Sequence, residues 1–345
     1  MQSSQQITID RPAASRAGGI PDRLPQRPTD LLLRWEVLLL IFLALVVLIN
    51  VQLSPFFFDP YNLSDATFNF TEKAIVALPM TLLIIAGDID LSVASIIALA
   101  STAMGAAAVA GASTAVLLVL GPLVGLACGI LNGWLVTAFS VPAIIVTIGT
   151  MSLYRGICYI ALGDQAYKNY PDGFDFFGQG YVFWVFSFEF CLFIVLAVIF
   201  GVVLHRTSFG RRVYAIGNNP TAALFSGIDV QRYRLVLFAL VGLFSGLASV
   251  LLTSRLGSTR PNIATAWELE IITMVVLGGV NINGGSGTVP GVFIAAFVMG
   301  FLTFGMGLLN IPGIVMTVLI GFLLILAIAL PVVIRKLTSA RRRSA

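Results

Sequence analysis

The stretch that decides the fold is Gly87-Asp88-Ile89-Asp90-Leu91-Ser92, where two carboxylates lie one residue apart in a chain with few charges. Apolar segments flank it, residues 74–86 before it and residues 93–110 after it. An ionisable side chain at membrane depth costs about 2.5–3.5 kcal/mol, so it persists where it faces protein, water or a ligand. The stretch is therefore either a polar break in a membrane helix, lining a cavity, or a short loop at the membrane surface between two helices.

The composition predicts a membrane protein. Of the 345 residues, 58% are hydrophobic and 10% are charged, and the mean hydropathy is +0.98, whereas soluble domains carry about 25% charged residues. One histidine and three cysteines, the latter all within apolar segments, argue against a disulfide framework, a metal site or a haem protein. The net charge of +4 comes from arginines beside apolar segments, so it does not indicate nucleic-acid binding.

Ten apolar segments predict an all-α polytopic membrane protein with about ten transmembrane helices over residues 35–334. They are residues 35–53, 73–86, 91–110, 113–138, 141–162, 181–204, 233–256, 267–280, 289–309 and 311–334. The second and eighth are short, which indicates broken helices. Segments two to five and seven to ten predict inverted repeats, because Val141–Gly149 is similar to Ile311–Val318 and the units are offset by an odd number of spans.

The positive charges predict the orientation. Arginines and lysines concentrate at both termini and in one long central loop, and such segments are enriched on the cytoplasmic side of a membrane. We therefore expect a disordered cytoplasmic tail over residues 1–34, a cytoplasmic loop over residues 205–232 and a basic cytoplasmic tail over residues 335–345. The mainly acidic segments 54–71 and 163–180 are then expected outside.

The central loop contains a predicted short helix. Asn219 suits its N-cap, Pro220 its first position and Gly227 the residue after its end. The segment carries Leu224 and Phe225 as apolar projections and is too short to be stable alone. It either lies on the ends of its own transmembrane helices or, as we favour, docks in a groove of a partner. The predicted docking residues are Asn219, Pro220, Thr221, Ala222, Leu224, Phe225, Ser226 and Gly227.

The sequence predicts no catalytic chemistry in this chain. A phosphate-binding loop needs a glycine directly before its lysine, and none of the three lysines follows a glycine. The single histidine, His205, lies among arginines, which does not favour Ser/His/Asp catalysis. Nucleotide hydrolysis is therefore not expected here.

Several motifs resemble those of the permease subunits of ribose-type sugar ABC importers. In chain order they are Gly87–Val93, Val141–Met151 with Tyr154-Arg155-Gly156, Gly217-Asn218-Asn219 with Ala222-Ala223 and Ser226-Gly227-Ile228, and Val276-Leu277-Gly278-Gly279 with Asn283–Gly287. Together they cover roughly residues 35–335. Asp88 departs from the pattern, which has a second glycine there, and this puts the substrate preference and the fit to partners in doubt.

The resemblance implies a permease that imports a small neutral sugar across the bacterial inner membrane, with both termini in the cytoplasm. It implies a second permease subunit, cytoplasmic ATPase subunits that bind ATP and Mg, and a periplasmic sugar-binding protein, with no cofactor in this chain. Residues 219–227 would be the coupling helix that contacts the ATPase. Trp267–Met274, leading into Leu277–Val280, is most similar to the rhamnose branch, and the autoinducer-2 branch is next.

Six polar residues are candidates for the translocation path, each with a structural alternative. They are Asp88, Asp90, Ser92, Thr147, Thr150 and Glu268. Acids and serines at helix N-termini are ordinary caps, and a threonine in a membrane helix bonds its own backbone. Two rival functions remain open. One is an ion-coupled secondary transporter using Asp88 and Asp90. The other is a membrane enzyme or scaffold, and an enzyme would need a cluster of titratable groups that the sequence does not indicate.

Overall fold

The computed structural model describes residues 35–343, which form thirteen helices and one short antiparallel hairpin. The predicted tail over residues 1–34 lies outside the described residues. The helices are α1 (Trp35–Leu53), α2 (Pro60–Ile85), α3 (Val93–Val109), α4 (Thr114–Ala138), α5 (Ala143–Leu162), α6 (Phe176–Gln179), α7 (Phe188–Arg206), α8 (Ser208–Asn218), α9 (Pro220–Phe225), α10 (Val230–Leu256), α11 (Trp267–Leu277), α12 (Val289–Leu308) and α13 (Gly313–Arg343). Strands β1 (Tyr181–Phe183) and β2 (Phe186–Ser187) form the hairpin.

Each of the ten predicted apolar segments contains a helix, which confirms an all-α polytopic membrane protein. The predicted start of the sixth segment, at residue 181, is wrong, because residues 181–187 form the hairpin and α7 begins at Phe188. Within residues 35–343, seven helices are long and apolar enough to cross a membrane: α1, α2, α4, α5, α7, α10 and α12. The shorter apolar helices are α3 and the stretch of α13 over Gly313–Ala327. The 11-residue α11 has two glutamates in its first turn. α13 continues through Arg343, past the predicted end of the tenth segment.

The predicted start of the second segment, at residue 73, is wrong. α2 has 26 residues and begins at Pro60, because the side chain of Asp59 accepts hydrogen bonds from the amides of Tyr61 and Asn62. Most of the segment expected as an outer loop, residues 54–71, is therefore helical. The eighth segment is short as predicted, since α11 has only 11 residues.

The two predicted repeats correspond to helices α2–α5 and α10–α13, and the contacts between helices follow this division. α10 packs against α3 and α4, and its counterpart α2 packs against α11 and α12. Likewise α3 packs against α4 and α5, and α11 packs against α12 and α13. α2 and α10 contact each other, and they are antiparallel, because the last turn of α2 and the first turn of α10 lie at the same end of the bundle. The first helix of each unit thus packs on the second and third helices of the other unit, and the two first helices run in opposite directions. Inverted repeats produce this arrangement.

The two ends of the bundle have different charges. The basic end comprises residues 205–234 with the turns at residues 85–92 and 278–288, which contact them. The acidic end comprises residues 163–180 and 257–266, joined by a backbone bridge between Tyr167 and Thr259.

The Gly87–Ser92 stretch lies at the basic end, where Asp88 pairs with Arg234. α2 alone is long enough to span a membrane. The stretch is therefore a loop between two helices, with both carboxylates buried in the protein, and its facing toward a cavity stays a prediction.

Glycines bring α4 and α10 into backbone contact. Gly121, Gly125 and Gly129 on α4 face Gly242 and Gly246 on α10. A Cβ at Gly125 would collide with the Gly242 carbonyl oxygen and lie 2.7 Å from the Gly246 nitrogen. Small residues at every fourth position permit this close approach of membrane helices.

We expect Gly125→Val to destabilise the bundle, because the side chain must push α4 away from α10. Overpacking costs about 1–3 kcal/mol, and a contact with backbone on both helices belongs at the upper end. The apparent Tm in detergent should fall by several degrees. Gly149→Val is the control, because a Cβ at Gly149 meets nothing within 4 Å. Equal Tm values for the two variants would contradict the predicted helix contact.

Candidate transport and coupling sites

The short helix α9 forms at the basic end as the sequence predicts. The side chain of Asn219 accepts a hydrogen bond from the Ala222 amide at 3.0 Å, and Pro220 occupies the first position. Gly227 has a φ of +82°, in the left-handed region that favours glycine. Leu224 and Phe225 are 60% and 87% exposed. The helix therefore presents two large apolar side chains that no residue of the described range 35–343 covers.

Helix α8 anchors α9 to the bundle. Val213 and Ile216 on α8 are buried, and the Tyr214 hydroxyl donates to the Gly287 carbonyl at 2.6 Å. Burial raises the pKa of Tyr214, so this hydroxyl keeps its donor proton at neutral pH. The Asn218 amide donates to the Gly285 carbonyl at 3.2 Å.

Gly217 fits against the end of α2. A Cβ there would collide with the Ile85 carbonyl oxygen and lie 2.6 Å from the Gly285 nitrogen. The end of α2 and the turn at residues 284–287 are thus both in direct contact with α8.

Asp88 and Asp90 have different partners. Asp88 is 4% exposed and forms an ion pair with Arg234, whose Nε lies 2.7 Å from Oδ2. Asp90 is buried, and its Oδ1 accepts hydrogen bonds from both the amide and the hydroxyl of Ser92, at 2.8 and 2.7 Å. The Asn132 amide donates to the Ser92 hydroxyl at 2.8 Å. Asp90 therefore closes a turn before α3, and neutral donors satisfy it.

The remaining candidates for the translocation path, Thr147, Thr150 and Glu268, do not bond to Asp88 or Asp90. Thr147 and Thr150 are buried and donate to carbonyls of their own helix, at 2.9 and 3.3 Å. Glu268 lies half-buried in the first turn of α11. Arg155 donates to the carbonyls of Pro261, Ile263 and Ala94. A lining role for these side chains stays a prediction.

A buried cluster of charges lies within the helix bundle, toward the acidic end, although the sequence did not indicate one. Arg255 binds Glu72 through two nitrogens, at 2.7 and 3.2 Å, and Glu72 is wholly buried. Glu189 is also wholly buried, interacts electrostatically with both, and has no hydrogen-bond partner on either carboxylate oxygen among the described residues. Next to Glu72, Lys73 pairs with Glu270 at 2.5 Å. The pair of Glu72 and Arg255 joins residues 183 positions apart, so no local sequence pattern could reveal it.

We expect Arg255→Gln to destabilise the protein more than Glu72→Gln. The first variant removes the cation that faces both buried carboxylates, whereas the second leaves Arg255 beside Glu189. Removing one partner of a buried pair costs about 3–5 kcal/mol. Thermal unfolding followed by tryptophan fluorescence would show the order, with Asp65→Asn, at an exposed position, as the control.

The double variant Glu72→Gln/Arg255→Gln should recover part of the loss, because it removes both charges of the pair. Additive losses from the two substitutions, or an unchanged Tm for Arg255→Gln, would contradict the buried pairing.

Comparisons with known proteins agree with this architecture. The family model described as the permease component of the branched-chain amino acid transport system matches residues 62–328. The ribose import permease protein of Bacillus subtilis is 36% identical over 295 residues, covering 84% of this chain and 91% of the relative.

Two further relatives are autoinducer 2 import system permease proteins. That of Enterobacter sp. is 35% identical over 302 residues, covering 86% of this chain and 92% of the relative. That of Escherichia coli K12 is 34% identical over 300 residues, covering 85% and 91%. No solved structure matches the chain.

Proposed function

This chain belongs to the family whose model is described as the permease component of the branched-chain amino acid transport system. On this premise we propose that it is the transmembrane permease subunit of an ATP-driven importer of a small neutral sugar. The names of its relatives support the sugar class, since one is a ribose permease and others are autoinducer 2 permeases. A rhamnose-like preference stays a prediction that these relatives do not support. The importer would lie in the bacterial inner membrane, with the basic end in the cytoplasm.

The observation that carries the proposal is the exposed, capped helix α9. Two apolar side chains on a surface helix indicate a docking site for a partner. Because this chain has no phosphate-binding loop, the partner that supplies energy would be a cytoplasmic ATPase, which binds ATP and Mg. A second permease subunit and a periplasmic sugar-binding protein would complete the importer.

The contacts of α8 define how motion at α9 would reach the membrane helices. A shift of α9 carries α8 with it, and α8 touches the end of α2 through Gly217 and the turn before α12 through Tyr214. The first contact lies in one repeat unit and the second in the other. Motion of the ATPase would thus be transmitted to both repeats, which is what alternating access requires.

The charges of the bundle also favour a neutral substrate. Asp88 is engaged by Arg234, and Asp90 by Ser92 and Asn132. Neither carboxylate is free to bind a proton or sodium in this conformation, which disfavours the ion-coupled alternative in the form that uses these two aspartates.

The test is to capture an ATPase on the tagged full-length protein. The protein is co-expressed with ATPases of its own host that carry a phosphate-binding loop, and purified in mild detergent. We expect Leu224→Glu and Phe225→Glu to reduce the captured ATPase more than about tenfold, because truncating an interface hot spot costs about 2 kcal/mol or more. Ser208→Glu, an exposed position on α8, is the control.

Capture of equal amounts by the control and both variants would overturn the docking role of α9. If the wild type captures no ATPase and its vesicles accumulate sugar under an ion gradient, the ion-coupled function replaces the proposal.

A further inference from the structure

The short hairpin at the acidic end carries an exposed aromatic surface to which the proposed function gives no role. The hairpin consists of β1 and β2 with the turn Trp184-Val185 between them. Over residues 176–188 the chain has seven aromatic residues and no charged one. Phe183 and Trp184 are 71% and 69% exposed, and Val182 beside them is exposed too. A contiguous apolar surface of this kind marks a contact with a partner or with a membrane.

The turn of the hairpin holds its tryptophan at a cost to the backbone. Two-residue hairpin turns favour glycine and asparagine, because these turns need positive φ values. Trp184 has a φ of 46°, in the left-handed region that residues with a bulky side chain rarely adopt. Strained conformations of this kind concentrate at functional sites, where the surroundings hold them. The exposed ring of Trp184 therefore indicates a binding role for the tip of the hairpin.

Contacts with α2 fix the height of the hairpin along the bundle. The Ser64 hydroxyl donates to the Val185 carbonyl at 2.5 Å. The Phe68 ring packs edge-on against the Tyr181 ring, with 6.0 Å between the ring centroids. Both contacts come from the first turns of α2, so the hairpin lies beside the start of that helix.

The lengths of α7 and α2 place this height at the edge of the membrane. α7 begins at Phe188, directly after the hairpin, and its 19 residues extend about 28 Å. The hydrocarbon core of a bilayer is about 30 Å thick, so α7 needs its whole length to cross it. The part of α2 beyond Phe68 extends about 27 Å by the same rise per residue. Both helices therefore place the hairpin at the level of the lipid headgroups.

We propose that the tip of the hairpin, residues 182–184, inserts into the headgroup region of the leaflet at the acidic end. Tryptophan is enriched at this depth, because its ring is apolar and its N–H is polar. The sheet has only two strands within residues 35–343, so its open edges carry backbone groups that hydrocarbon cannot satisfy but headgroups and water can. In an ordinary aromatic belt the rings project from spanning helices, whereas here a separate element carries them.

The test is the quenching of Trp184 fluorescence by brominated lipids, with the full-length protein in phosphatidylcholine nanodiscs. The emission of Trp184 is the difference between the wild type and Trp184→Phe. We expect bromine near the headgroups to quench this difference strongly and bromine near the ends of the acyl chains to quench it weakly. Trp267→Phe is the matched control at the same end of the bundle. The Lys73 ammonium lies 4.9 Å from the centre of the partly buried Trp267 ring, so the emission of Trp267 should respond little to either lipid.

Three results would overturn the proposal. Quenching by aqueous acrylamide and by neither lipid would place the tip in water. Protection from all three quenchers would place it under a second copy of the chain or another protein. Stronger quenching by the deep bromine would place it in the hydrocarbon. If Trp184→Phe alters the turn, Val182→Trp in that background is the second probe, and it should show the same preference for the shallow bromine. Capture of the ATPase through α9 does not involve the hairpin, so either proposal can fail without the other.

Discussion

The backbone carbonyl of Ile85 holds the segments of the basic end of the bundle together. α2 ends there, and the last carbonyls of a helix have no partner within the helix. The amide of Gly285 donates to this carbonyl at 2.8 Å, and Gly217 packs directly on it because it has no Cβ. Three segments far apart in the chain are thus joined backbone to backbone, with no flexible side chain between them.

This contact makes α8 and α9 part of the packed bundle rather than a surface loop, and it supports their proposed role in coupling. α9 alone has six residues and cannot hold its own position. Since α8 rests on one turn from each repeat unit, a displacement of α9 acts on both units together. The buried pair of Glu72 and Arg255, toward the other end, keeps α2 and α10 in register, because separating two buried charges is costly.

Local signals in the sequence predicted the helices and α9 well. Asn219, Pro220 and Gly227 define the bounds of α9 through backbone chemistry that acts over a few residues. The early start of α2 carried a similar signal in Asp59-Pro60, but the polar residues that follow hid the helix from a search based on hydropathy.

What the sequence could not predict depends on long-range packing. The backbone hydrogen bonds of Thr147 and Thr150 are the structural alternative that the sequence already offered, and the facing of these side chains toward a path stays a prediction. The partners of Arg155 are carbonyls, which have no signature in a sequence. The backbone bridge between Tyr167 and Thr259 joins two loops that lie far apart in the chain, and it likewise has no local signal in the sequence.

The most direct test of the account is the coupling ratio of Gly217→Ala in the assembled importer, reconstituted in proteoliposomes. Adding one methyl group at Gly217 must separate α8 from Ile85, while the docking residues of α9 stay unchanged. We predict normal binding of the ATPase and continued ATP hydrolysis, with sugar uptake per ATP reduced at least about tenfold, whereas Gly149→Ala transports normally. An unchanged ratio of uptake to hydrolysis in Gly217→Ala would contradict the account.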